Sequence, residues 1–231
     1  MSAPARAFTV RHVQLLRALF AAAAAVMITF SPDHSAAVGL SVFSGFVLTT
    51  GLVMIVATWL VYPAGQRWPS VVFALLSFVA GMTAGVPAWR TEDVFFVVVI
   101  AWSVTTGILE LVVGLRARRA GEANARDSIT LGAFGLLLAV LLIAIPAGFV
   151  QPYEIDGAGA FQLTGIILGV GMFGGYAAIV AVFLGIAGLT PKRADAVAEG
   201  RTTENDPAPA GHGGEPVSYT HLRAHETKAN L

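Results

Sequence analysis

Glu110 is the only acidic residue set well inside a membrane-length apolar stretch, in the word Thr105-Thr106-Gly107-Ile108-Leu109-Glu110. A carboxylate at that depth is costly unless it is paired or faces water, so it is a functional candidate by default. Two chemistries fit. It could bind and release a proton as part of a transport path, or it could lie near the interface and pair with a loop arginine from a neighbouring hairpin. The sequence leaves both open. Met54 and Leu168 stand at the corresponding positions of an internal repeat, so neither role would be repeated threefold.

Other chemistry-bearing residues are sparse. Asp33 and His34, Glu92 and Asp93, and Glu154 and Asp156 cluster in loops that share one side of the membrane. Asp33-His34 and Glu92-Asp93 could form an outer proton or cation site, but such residues are also what a solvated turn contains. His12 and His212 read as exposed bystanders. There is no cysteine, which excludes disulfides, thiolate metal sites and cysteine nucleophiles. No HExxH, GxSxG, phosphate-cradling Gly-Lys-Ser or paired-carboxylate arrangement occurs. The expectation is therefore a non-enzymatic protein with no catalytic residue, cofactor or metal.

The elements that must position Glu110 are apolar. Hydrophobic residues make up 56% of the 231 residues and charged ones only 12%, a composition outside the soluble range. At about 20 residues per bilayer crossing, six spans are predicted: 13–30, 38–61, 70–86, 94–115, 129–150 and 161–189. They group by an internal echo. Ala18-Leu19-Phe20, Pro32 and Thr50-Gly51-Leu52 are followed by Ala74-Leu75-Leu76, Pro87 and Thr106-Gly107-Ile108, then by Ala133-Phe134, Pro146 and Thr164-Gly165-Ile166. Proline-to-glycine separations are 19, 20 and 19 residues, and the glycines recur after 56 and 58, which reads as duplication. Because each copy spans two helices, all copies enter the membrane in the same direction. The predicted fold is all-α: six transmembrane helices as three tandem helical hairpins, about 13–61, 70–115 and 129–189, in a pseudo-threefold arrangement.

Small residues should bring those helices together. Ser77, Gly81 and Gly85 fall at four-residue spacing, as do the pairs Gly165/Gly169 and Gly171/Gly175. Thr50, Gly51, Thr106, Gly107, Thr164 and Gly165 belong to the repeated word and are read as packing residues. Gly165 lies early in its span, unlike Gly51 and Gly107, unless the sixth helix begins near Pro152 or breaks around Gly174-Gly175.

Loop charge then sets orientation, since Lys and Arg stay on the cytoplasmic side. Ten basic residues, Arg6, Arg11, Arg17, Arg67, Arg116, Arg118, Arg119, Arg126, Lys192 and Arg193, share one face, while the acidic face holds Arg90 alone. The expectation is a multi-pass protein of a bacterial inner membrane with both termini cytoplasmic. Trp59, Tyr62, Trp68 and Trp89 sit where an interfacial aromatic belt would place them. A net charge of zero argues against nucleic acid as a partner; the bilayer, a second copy or another membrane protein remain.

Residues 1–12 read as a cytoplasmic N-terminus. Membership of the first span in the repeat favours a retained helix over a cleaved signal peptide. Residues 190–216 are too poor in large apolar side chains to fold alone and read as a disordered cytoplasmic tail. The stretch Val217-Ser218-Tyr219-Thr220-His221-Leu222-Arg223-Ala224-His225-Glu226-Thr227 is similar to the in-frame translation of a sequencing adapter. On that reading 217–231 is an artefact, and the His221/His225 pair is no metal site.

Within three apolar hairpins, Trp102-Ser103-Val104-Thr105-Thr106-Gly107-Ile108-Leu109-Glu110 followed by Arg116-Ala117-Arg118-Arg119 resembles the HdeD-like acid-resistance membrane proteins. The resemblance runs from Val13 to Leu189. It implies a six-helix inner-membrane protein linked to acid stress, with no catalytic residues to carry over. Beside that reading stand a small transporter or channel with Glu110 as a proton-coupled site, and a structural partner in a membrane complex.

Overall fold

The structure, a computed structural model, describes residues 8–190 apart from 123, 124, 147 and 158. Arg6, Lys192, Arg193, His212, the tail and the adapter-like segment lie outside the described residues. Among the described residues six α-helices follow one another: α1 Val10–Phe30, α2 Ala36–Leu60, α3 Trp68–Gly85, α4 Glu92–Arg119, α5 Ala125–Ile143 and α6 Gly165–Leu189. Each is long and apolar enough to cross a membrane. Even the shortest, at 18 residues, rises about 27 Å. The membrane-spanning part is therefore all-helical, and the chain is a multi-pass membrane protein.

Helix ends follow local chemistry. The Ser35 hydroxyl accepts from the Val38 N–H at the start of α2, and Thr91 does the same for Val94 at the start of α4. Glu92 and Asp93 occupy the first turn of α4, and Arg116, Arg118 and Arg119 its last, each sign matched to the local helix dipole. Asp33 shapes the turn before α2, where its carboxylate accepts from the Ser35 N–H and hydroxyl, at 2.8 and 3.0 Å.

Two predicted boundaries need correction. The fifth span is expected to reach Val150, but α5 ends at Ile143, because a residue before proline is pushed out of the helical region and Pro146 follows closely. The sixth is expected from Phe161, yet α6 begins at Gly165. Between them the chain forms an antiparallel hairpin, β1 Val150–Ile155 and β2 Gly159–Thr164, with Val150 opposite Thr164 and Tyr153 opposite Phe161. The rings of that last pair stack at 5.8 Å. Asp156-Gly157 supplies the turn signal, and Gly157 and Gly159 adopt φ of 82° and 99°. Gly165 thus opens α6, whereas Gly51 and Gly107 lie deep within α2 and α4. The helix runs unbroken through Gly174-Gly175.

Neighbours in sequence are neighbours in space, and α1 closes back on α6. The most intimate pairs are α2 with α3, α4 with α5 and α6 with α1; the pairs inside each expected hairpin touch less. Small residues explain this. A Cβ added to Gly51 would meet Ala74 and Ser77, one on Gly81 would meet Val47 and Leu48, and one on Gly85 would meet the Ser44 hydroxyl. Gly107 abuts Gly132 and Leu136, and Gly169 meets Phe95 and Phe96. Gly171 and Gly175 face open space, which corrects the packing role read from their spacing. Gly114, Gly132, Gly174 and Gly188 also make close approaches that spacing alone does not single out.

At mid-bundle the core is aromatic. Phe43, Phe95 and Phe173 are fully buried, and Phe43 meets Trp102 and Phe173 edge-on, both at 5.5 Å. Such geometry suits the quadrupoles of the rings.

Candidate functional site

The helices carry their charges to two ends. At one, the basic end, lie Arg11, Arg67, Arg116, Arg118, Arg119 and Arg126; at the other, the acidic end, lie Asp33, Glu92, Asp93, Glu154, Asp156 and Arg90. A cavity of about 530 Å³ opens at the basic end, and all six helices contribute to its wall. Its lining is mostly apolar, with Val13, Met54, Phe73, Leu131 and Leu184 among the walls.

Glu110 lies in this cavity, reached from an unexpected direction. Arg17 Nη2 of α1 donates to Glu110 Oε1 of α4 at 2.8 Å. Both side chains are nearly buried, at 13% and 15% exposure. Loop-charge patterning counts Arg17 with the cytoplasmic flank and offers Glu110 a loop arginine as its partner; the structure pairs Glu110 with a helical one. Helical rise explains the difference. Arg17 is about two turns past Val10, the first residue of α1, or about 10 Å into the helix. Its guanidinium sits over the Phe73 ring at 5.0 Å, a favourable cation–π contact. Arg17 falls inside the predicted span 13–30, but only as its fifth residue, so that span alone does not separate it from the flanking arginines; the earlier start of α1 at Val10 does.

One turn before Arg17, on the same face of α1, Gln14 Nε2 donates to Asp127 Oδ2 of α5 at 2.9 Å. That places a second polar link between α1 and its surroundings at the cavity wall. Tyr62, in the connection after α2, also lines the cavity and shares a hydrogen bond with Ser70; burial pushes its phenol above the ordinary range.

Below the ion pair lies a second, small void of about 10 Å³, lined by Arg17, Thr50, Phe73, Trp102 and Tyr176 among others. That is close to the room one water needs. Thr50 is unusual there. Thr49, Thr58, Thr83, Thr105 and Thr106 all bond back to carbonyls of their own helices, the ordinary fate of a helical threonine. The Thr50 hydroxyl is buried and, among the described residues, has no hydrogen-bond partner; the same holds for Arg17 Nε and Gln14 Oε1. An unsatisfied buried polar atom in a native fold calls for an occupant such as water or a ligand.

Toward the acidic end the bundle axis is filled. Phe46, Phe43, Phe173, Leu40, Phe95 and Val170 are buried in succession, so the cavity is a vestibule open at one end and stoppered by apolar side chains at the other. The outer acids are not gathered into it. Asp33 caps a turn, Glu92 and Asp93 begin α4, and Glu154 and Asp156 lie at the hairpin. Among the described residues no group of three histidines or acids is placed to hold a metal ion. Of the repeat words, Thr106 bonds back to Trp102 at 2.6 Å and Thr164 precedes α6 as its cap residue, whereas Thr50 faces the void. Trp102 itself donates from Nε1 to the Ser77 hydroxyl at 3.2 Å.

Comparison with protein-family models, with curated proteins and with solved structures gives no match.

Proposed function

We propose that this multi-pass membrane protein is a non-enzymatic small-solute carrier of a bacterial inner membrane, with Glu110 as its proton-coupled group. One observation carries the reading: a nearly buried Arg17–Glu110 pair in a vestibule walled by all six helices and stoppered on the far side. Ionisable residues at membrane depth that face a cavity mark substrate and proton paths. A one-sided vestibule is also what one state of an alternating-access carrier presents. The alternation of tight and looser helix pairs around the ring supports a pseudo-threefold origin from three tandem hairpins. In this reading Arg17–Glu110 is where that symmetry was given up for function.

The test is gradient collapse. Sealed vesicles holding the purified protein and an internal pH dye should dissipate an imposed pH gradient faster than empty vesicles when offered a panel of charged and zwitterionic solutes, small monocarboxylates and their impermeant alkylsulfonate analogues included. Glu110→Gln should remove the difference. No collapse with any solute, at confirmed insertion, leaves the scaffold reading in its place. The acid-stress role implied by the HdeD-like resemblance is the physiological setting we propose for the carrier, supported by the word Trp102 to Glu110, which ends at the ion pair. Returned to a deletion strain, Glu110→Gln should then fail to restore acid survival; full restoration removes that setting and leaves the carrier untouched.

Orientation follows from the basic end, which the positive-inside rule places in the cytoplasm, so both termini and the vestibule mouth would be cytoplasmic. Single cysteines at Ala64, Ala88, Ala120 and Ala160, all exposed and free of native cysteine background, provide the check. In intact cells an impermeant maleimide should label Ala88→Cys and Ala160→Cys only. Labelling at Ala64→Cys or Ala120→Cys reverses the topology.

A further inference from the structure

We infer that the vestibule binds a small monocarboxylate with an apolar tail, its head displacing Glu110 from the Nε and Nη2 edge of Arg17 and its tail lying along the apolar wall. The inference rests on the vestibule being a solute site and adds the class of solute. Four features lead to it.

The first is how Arg17 is used. A guanidinium offers carboxylates two parallel donors along one edge, which is why arginine recurs where carboxylates are held. Glu110 takes only Nη2, while the adjacent Nε is buried and, among the described residues, unpartnered. A side chain tethered to α4 fills half the edge. A free carboxylate is not so tethered and can meet both donors.

Second, the walls are mostly hydrocarbon. Val13, Met54, Phe73, Leu131 and Leu184 surround the cavity, and its 530 Å³ lies in the range of small-ligand pockets. An alkyl or aryl tail gains burial there that a halide or a phosphate cannot.

Third, the basic end attracts anions. Arg11, Arg67, Arg118, Arg119 and Arg126 lie around the end that holds the mouth, and a field of one sign raises the local concentration and arrival rate of the opposite one. The fourth feature sets an upper limit. Glu122, Asp127 and Arg116 also line the cavity, so of the three further charges there a second carboxylate on the ligand would meet two of like sign.

Displacement is linked to a proton. With the carboxylate on Arg17, Glu110 loses its cation, and an added anion leaves the site one charge more negative unless one proton enters with it, so neutrality couples anion and proton binding. Among the described residues the other titratable or charged groups at this cavity are Tyr62 from the connection after α2, Arg116 on α4, Glu122 after α4 and Asp127 on α5, with Tyr176 of α6 at the small void. Glu110 is the group that shares Arg17 with the ligand. Linkage of one proton makes affinity rise as pH falls, by at most about tenfold per pH unit.

Binding is measured on the purified protein in detergent, by calorimetry from pH 5.5 to 8, on the order of the range in which a small carboxylate stays ionised. Butyrate and benzoate are the probes; butylamine, succinate and chloride are the comparisons. The expected result is binding of both monocarboxylates with proton uptake, tighter at low pH, and at least about tenfold weaker binding of all three comparisons. Glu110→Gln should bind more tightly at pH 8 with a flat pH profile. The double variant Arg17→Met/Glu110→Leu keeps the core neutral and should bind neither monocarboxylate. Equal binding of succinate, chloride or butylamine overturns the inference, as does monocarboxylate binding that survives the double variant. Loss of the inference alone would appear as gradient collapse in vesicles by some other solute, with no carboxylate binding in detergent.

Discussion

Replacing Arg17 alone with methionine should destabilise the bundle by about 3 kcal/mol or more, while removing Glu110 at the same time should restore most of that loss. The asymmetry comes from desolvation. A buried ion pair gives little net stability relative to apolar residues of similar size, but deleting one partner strands the other charge, at about 3 to 5 kcal/mol. The vestibule gives the pair some access to water, at 13% and 15% exposure, so the low end of that range applies. In Arg17→Met the orphaned Glu110 must protonate or recruit water, and the contact of Arg17 with the Phe73 ring is lost as well, worth about 0.5 to 2 kcal/mol. The double variant Arg17→Met/Glu110→Leu has neither unpaired charge. Unfolding in mixed micelles with increasing denaturing detergent would give the three stabilities. Equal losses in the single and double variants would mean that the two residues are not coupled across α1 and α4, and both the carrier reading and the displacement of Glu110 by a ligand would lose their basis.

Much of the fold is visible in the chain because bilayer crossing demands long apolar runs, and the described helices α1 to α4 match the expected spans within a few residues at each end. The mismatches share a cause. Val150 and Phe161 are apolar, so hydropathy absorbs them into neighbouring spans, although Asp156-Gly157 and the apolar/polar alternation of Phe161, Gln162, Leu163 and Thr164 carry a hairpin signal. Hydropathy does not distinguish a strand at the end of a bundle from the end of a helix. Pro146 stands out as a repeat marker, yet it also forbids α5 from reaching Val150.

The site is half legible. Glu110 is conspicuous because an acid in an apolar run is expensive, but Arg17 belongs to a series of arginines near the N-terminus and passes for one more charge on the flank. Its depth depends on where α1 begins, and Thr9 and Val10 bring that start forward of Val13. Nothing in the spacing of Thr50 tells it apart from Thr106, its repeat counterpart. Thr106 bonds back to its helix and Thr50 opens onto a void walled from five helices, a difference that tertiary packing sets and spacing does not.

The glycine most sensitive to substitution is one that the repeated words do not mark. A Cβ at Gly132 would stand 2.6 Å from the Leu111 backbone N and 2.7 Å from the Gly107 carbonyl O, distances at which α4 and α5 cannot both keep their places. Backbone atoms have no rotamer to yield, so the helices must part, and overpacking of that kind costs on the order of 3 kcal/mol. Alanine has a higher helix propensity than glycine by about 1 kcal/mol, which works in the opposite direction and is too small to win. Gly132→Ala is therefore expected to lose about 2 kcal/mol net. Gly171→Ala is the matched control, since a Cβ there meets nothing within 4 Å and only the propensity gain remains. The pair also reports on the site, because Gly132 is adjacent to Leu131 of the vestibule wall and Gly107 is one turn before Glu110. Parting of α4 and α5 should weaken butyrate binding in Gly132→Ala and leave Gly171→Ala unchanged. A Gly132→Ala protein as stable as Gly171→Ala would show that α4 and α5 do not approach through backbone contact, and the vestibule wall they form would have to be redrawn.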